Sequence, residues 1–208
     1  FISSVAEPIK GFHVLLKAAA ILKNKYSDIK IVAPLASFKP KLSVIWDFLF
    51  TEDYANYLKK EIIKSGLEDN IILYKKLSAD EMADEYCKAH VFSLTSYIEN
   101  SPNSLGEAML VGTPSIVSPV GGVISIVKDE ESSLYFPSGD AVMLAFQIDR
   151  IFSDDQLAVT LSRHAKTIAL KRHDIAETTS QYINIYAQII KKHTEKIKLS
   201  SNDFPVNN

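Results

Sequence analysis

Only one of the 208 residues is cysteine and one is tryptophan. A lone thiol builds no disulfide framework, so the fold must rest on packing, and a reducing compartment is expected. Cys87 falls in a helical pattern and reads as a small buried hydrophobe. Neither sign of charge dominates: 23 Lys and Arg stand against 25 Asp and Glu, a net charge of −2. That excludes a global basic field for nucleic acid or an anionic membrane. The longest apolar runs fall far short of the roughly 20 residues a bilayer demands, and no signal-peptide pattern is visible within these residues. Repeats and low-complexity tracts are lacking. His13, His90, His164, His173 and His193 show no metal-ligand spacing. What remains is a chain 47% hydrophobic, long enough for one large domain or a domain with an appendage.

The apolar residues come in short runs separated by longer helical patterns. Six runs read as strands: FISSV (1–5), IKIVA (29–33), NIILY (70–74), HVFSLTS (90–96), PSIVS (114–118) and SSLYF (132–136). They are continuously apolar rather than alternating, as strands covered on both faces should be. Between them, Phe12, Leu15, Leu16, Ala19 and Leu22 share one helical face. Tyr54–Ser65 reads as a helix stopped by Gly66. Ser78 with Glu81 forms a capping box, Asp140 opens another helix, and Ser153 with Gln156 and Asp174 with Glu177 mark two more. This alternation predicts an α/β fold: a doubly wound parallel sheet of about six strands with helices on both faces. Trp46 and Phe48–Phe50 fall in a long loop after Pro34. The basic run Lys191–Lys198 reads as the solvated end of the last helix, and a polar, flexible tail is expected from 194 to 208. Residue 1 is Phe, and a strand is already under way there, so an N-terminal part is expected to precede these residues.

Such sheets bind ligands at the carboxyl ends of their strands, which directs attention to residues 98–114, IENSPNSLGEAMLVGTP. Ser101 is a good N-cap and Pro102 suits a first helical position. Ser104 with Glu107 fits a capping box in an alternative register. Either way a helix starts at the ligand edge, where its free N–H groups suit phosphate. Glu99 in the loop and Glu107 inside the helix are carboxylates, which accept hydrogen bonds from sugar hydroxyls. Together they could grip the hydroxyls on either side of a diphosphate.

Glu-x7-Glu running into EAMLVGTPSIVSPVGG resembles the donor-binding signature of retaining glycosyltransferases of family 4, which have the two-domain B-type fold. KGFHVLLKAAAILKNKYSDIKIV, LSADEMADEYCKAHVFSLTSYIENSPNSLGEAM and GDAVMLAFQIDRIFSDDQL resemble flanking segments in the same order. The similarity runs over about residues 1 to 190. It implies that residues 1–193 form the Rossmann-like donor domain and that an acceptor domain lies outside this chain. It also implies roles. Glu99 would contact the donor sugar, and Lys10 would face the diphosphate, these two being the catalytic candidates. Backbone N–H groups of Asn100, Ser101, Asn103, Ser104 and Leu105 would meet sugar and phosphates. Glu107 would hold the ribose. Tyr74 and Lys75 would border the base, and Gly121 and Gly122 would line the cleft. There are departures. The family's Arg before the Lys is replaced by Ser4 and Val5, a loss of roughly 1.5–3 kcal/mol of charge-assisted bonding. Pro34 stands for a common glycine, and Pro102 offers no N–H.

The resemblance therefore implies a fragment of a hexosyltransferase-type glycosyltransferase. It would bind a UDP- or GDP-linked sugar, without a metal or other cofactor, for transfer with retention to a glycan or lipid-linked acceptor in bacterial surface polysaccharide synthesis. Assigned to the cytoplasm, with contact at the inner membrane face an open point, it is expected to be inactive alone. In such transferases the last helix, Asp174–Lys192, braces the other domain, so it is expected to be partly exposed here. Two alternatives stay open: a nucleotide-sugar 2-epimerase and a non-catalytic nucleotide-sugar-binding module.

Overall fold

The computed structural model describes residues 1–2, 7–34, 52–74 and 77–202. The chain divides into two units, Phe1–Ala169 and Leu170–Asn208.

In the first unit five short strands are assigned: β1 (Ile31–Pro34), β2 (Ile71–Tyr74), β3 (Phe92–Leu94), β4 (Ser115–Val117) and β5 (Leu134–Tyr135). All observed pairings are parallel, β1 with β2 and β3–β4–β5 in sequence. This is the expected parallel α/β architecture with five assigned strands rather than six. The sixth expected run lies mostly on residues outside the description, but its first two residues show where it belongs. The Phe1 amine donates to Val91 O at 2.8 Å, Ser93 N donates to Phe1 O at 2.9 Å, and Ile2 N donates to Val32 O at 3.1 Å. Phe1 and Ile2 therefore sit between β1 and β3, giving the order β2, β1, residues 1–2, β3, β4, β5. The order reverses beside β3, and that reversal is where doubly wound sheets open a ligand crevice.

Side chains alternate across the sheet with a period of two, and both faces are covered except at the edge strand β2, where Ile72 and Leu73 are exposed. Ile2, Val91, Ile116 and Leu134 join one apolar core with α1 (Phe12–Leu22) and α5 (Ala141–Ser153). Phe1, Phe92, Leu94 and Val117 join the other with α3 (Ala79–Lys88) and α4 (Asn103–Val111). α1 buries seven of its eleven residues, among them Leu15, Leu16 and Ala19. α2 (Glu52–Lys64) ends before Gly66, whose φ of 60° suits a residue without a Cβ. Ser78 and Glu81 form the reciprocal capping box on α3. Asp140 caps α5 through the amides of Val142 and Met143. α6 (Asp155–Arg172) is opened by Asp154, whose carboxylate accepts from Leu157 N. Ser153, the expected opener, is instead the last residue of α5. Cys87 is exposed, contrary to expectation: α3 turns Glu85 and Tyr86 inward, and the next residue rotates out to solvent.

The second unit contains α7 (Ile175–Asn202). Asp174 accepts from Glu177 N at its start. Ile175, Tyr182, Ile183, Tyr186, Ile189 and Ile190 are all exposed. No helix among the described residues is long and apolar enough to cross a membrane. Trp46, Phe48–Phe50 and Lys75 lie outside the described residues.

Candidate functional site

Three loops meet at the carboxyl end of β3, and each is held by main-chain bonds. A single 3-10 turn, Pro8–Lys10, precedes Gly11, which has φ 69°. A Cβ on Gly11 would come within 2.9 Å of the Thr95 carbonyl carbon, so only glycine lets this turn lie flat on β3. Thr95 Oγ1 donates to Lys10 O at 2.8 Å, and Tyr97 N donates to Ile9 O at 2.8 Å. On the other side Gly122 N donates to Glu99 O at 3.2 Å. Cβ atoms on Gly121 and Gly122 would lie 3.0 and 2.9 Å from the carbonyl carbons of Glu99 and Asn100. Ser118 Oγ ties β4 to Leu94 O at 3.2 Å.

This framework presents a cavity of about 400 Å³ that includes Lys10, Ser96, Glu99, Ser101, Asn103, Ser104 and Glu107 in its lining. Lys10 Nζ and Ser96 Oγ both donate to Glu99 Oε1, each at 2.7 Å. The Glu99 side chain is only 9% exposed and that of Lys10 31%. Glu107 Oε2 accepts from the Tyr86 hydroxyl at 3.1 Å. Burial, reinforced by Glu107, pushes the Tyr86 hydroxyl well above the usual tyrosine range, so it stays a donor.

α4 begins between the two carboxylates, and one residue later than expected. Pro102 is the N-cap, extended at φ −70°, ψ 110°, and no side chain caps the helix. Its carbonyl accepts from Leu105 N at 3.2 Å, which is the task expected of Ser101. The alternative Ser104–Glu107 box is not formed either, because Glu107 is two residues too deep in this register and is engaged by Tyr86. Among the described residues no protein acceptor meets the amides of Asn103 and Ser104. Two N–H groups and the positive end of the helix dipole therefore face the cavity between Glu99 and Glu107.

The remaining expected residues fall around this cavity rather than in it. Leu105 is fully buried on the core-facing side of α4. Asn100 packs its carbonyl on Gly122, and the two glycines act on the Glu99 loop rather than on the lining. Tyr74 ends β2 and reaches Glu85 Oε1 at 3.5 Å. Sequence reasoning missed Ser96, Tyr86 and Met82; the last also lines the cavity.

Sequence reasoning also missed an aromatic clasp behind the Lys10 loop. His13 Nδ1 lies 3.0 Å from the Tyr54 hydroxyl and Nε2 lies 3.2 Å from that of Tyr97. The His13 and Tyr97 rings are nearly parallel, 10° apart. Burial, helped by Lys17 and opposed by Glu61, lowers the His13 pKa below its ordinary 6.5. Burial raises Tyr54 to about 12. Among the described residues no three His, Cys, Asp or Glu side chains gather to hold a metal ion.

The family model described as glycosyl transferases group 1 matches residues 1–168. A curated relative, D-inositol 3-phosphate glycosyltransferase of Corynebacterium urealyticum, is 26% identical over 181 residues. The match takes in 87% of this chain and 41% of that protein. Among solved structures, sucrose-phosphate synthase from Thermosynechococcus elongatus superposes with a TM-score of 0.77 at 24% identity, covering 92% of this chain and 45% of the other. Anabaena HepE in complex with UDP-glucose gives 0.73 at 21% identity, covering 90% and 49%. The chain thus spans about two-fifths of that curated relative and about half of each of these structures.

Proposed function

Since the chain belongs to the glycosyl transferases group 1 family, we propose that its cavity binds the sugar donor of a glycosyltransferase, a nucleoside diphosphate joined to a sugar. One observation carries this reading: Glu99 and Glu107 open into a single cavity on either side of an uncapped helix mouth. The diphosphate would lie on the amides of Asn103 and Ser104, within reach of Lys10. Glu99 would accept from sugar hydroxyls, and Glu107, held by Tyr86, from the ribose. HepE, one of the solved folds it resembles, binds UDP-glucose, which supports a donor of this class.

The chemistry is then positional and electrostatic. As the bond from the anomeric carbon to phosphate oxygen breaks, its electron pair goes to the departing diphosphate. The helix amides would stabilise that growing charge without reorganising, and Lys10 would do so once turned from Glu99 toward the phosphate. The acceptor oxygen bonds to the anomeric carbon from the face the diphosphate leaves, its proton passing to the departing diphosphate, giving retention. An acceptor site would lie in the part of the parent protein that relatives carry beyond the matched region. The proposal includes no metal or other cofactor.

Calorimetric titration of UDP, GDP, UDP-glucose and GDP-mannose into the chain tests the reading. Binding of at least one sugar nucleotide, weakened about tenfold or more by Glu107→Ala, is expected. Binding that survives both Glu99→Ala and Glu107→Ala unchanged would remove the site from this cavity.

A further inference from the structure

Resting on that donor-site reading, we infer that the Lys10–Glu99 ion pair is a lock that sets the site against a bare nucleoside diphosphate and in favour of one carrying a sugar. Glu99 is the more buried partner, and its Oε1 receives two donors, Lys10 Nζ and Ser96 Oγ, each at 2.7 Å. Lys10 is also the one Lys or Arg among the described residues that lines the cavity. Two anions therefore compete for one ammonium: the Glu99 carboxylate and a diphosphate seated on the α4 amides. An ammonium has three N–H donors but a single charge. When it turns toward phosphate, the mostly buried Glu99 carboxylate is left under-compensated, which is costly.

A sugar on the diphosphate changes that balance. Its hydroxyls donate to Glu99 and restore the hydrogen bonds the carboxylate gives up. A bare diphosphate supplies no such donor. The same carboxylate that orients the sugar thereby weakens the hold on the diphosphate once the sugar has gone, and the lock re-forms as the product leaves.

The test is a double-mutant cycle on the 208-residue chain. UDP, GDP, UDP-glucose and GDP-mannose are titrated into the native chain, Glu99→Gln, Lys10→Gln and the double variant, after each melt has been recorded. Glu99→Gln should bind bare UDP or GDP about tenfold more tightly, while its preference for the sugar nucleotide falls by tenfold or more. The gain should vanish in the Lys10→Gln background. Should Glu99→Gln fail to melt cooperatively, Ser96→Ala carries the test: it leaves Glu99 more dependent on Lys10 and should weaken diphosphate binding several-fold. Unchanged diphosphate affinity in Glu99→Gln, or in Ser96→Ala where that variant carries the test, or a gain that persists without Lys10, overturns the lock and leaves the donor site standing. Failure of the native chain to bind any of the four overturns both.

Discussion

Replacing Gly122 by alanine should damage donor binding from a position outside the cavity lining. A Cβ on this residue would stand 2.9 Å from the Asn100 carbonyl carbon, whereas carbon atoms rest at roughly 3.5–4.0 Å. The 100–101 peptide, whose carbonyl oxygen would lie closer still, must therefore retreat by more than about 1 Å and take the adjoining 99–100 peptide with it. The bond from Gly122 N to Glu99 O breaks first, being 3.2 Å already. The Glu99 carboxylate moves with its backbone, and 2.7 Å contacts stretched by that amount cease to be hydrogen bonds. Losing a sugar hydroxyl on this carboxylate costs about 1.5–3 kcal/mol, so sugar-nucleotide affinity should fall about tenfold to a hundredfold. Overpacking should also lower stability by roughly 1–3 kcal/mol, or a few degrees in Tm for a chain of this size. Calorimetry with UDP-glucose and GDP-mannose, alongside a thermal melt, measures both. Gly66→Ala is the control: its φ is 60° and the nearest atom to an added Cβ is Lys23 Nζ at 3.7 Å, so it should cost stability without touching affinity. A folded Gly122→Ala chain with donor affinity within about twofold of native would refute the reasoning.

Glu107→Ala should weaken UDP and UDP-glucose, or the guanosine pair, by the same factor of about ten, because the ribose is common to both; unequal losses in a titration would count against a ribose role. Tyr86→Phe removes the hydroxyl that steadies Glu107 and should lower donor affinity a few-fold while costing about 1 kcal/mol in a denaturant melt. The depressed His13 pKa gives a sign for pH. His13 binds fewer protons in the folded chain than in the unfolded one, so its contribution is fully present above about 6.5 and is lost as pH falls from there toward the lowered folded value. The stability difference between native and His13→Gln, followed by melts from pH 7.5 to 5, should shrink on acidification; a constant difference would mean His13 carries no linkage.

The sequence made the sheet, the direction of its strands and the two flanking carboxylates legible, because each is written locally. Short apolar runs between helical periods imply parallel strands, and Ser78 with Glu81 is a cap that three residues suffice to specify. The helix start at Asn103 was not legible. Ser101, Pro102 and Ser104 each offer an acceptable opening, and in the register adopted Glu107 sits past the cap and bonds Tyr86, 21 positions upstream. Lys10 and Glu99 are 89 residues apart, so no spacing rule announces their pairing. His13, Tyr54 and Tyr97 likewise meet only because α1, α2 and the β3 loop converge. Cys87 went the other way: its hydrophobic character suggested burial, but its angular position on α3 decided exposure.

The Lys10 turn, the 95–100 loop and the Gly121–Gly122 turn are fastened through peptide groups, with Thr95 and Ser118 the chief side chains involved. The mouth of the cavity is therefore a scaffold whose shape is largely indifferent to what stands at Ser101 and Asn103, two exposed positions on its rim. A library randomised at those two codons alone should retain its melting profile while exploring different sugars, which makes the rim the natural place to begin retuning this chain.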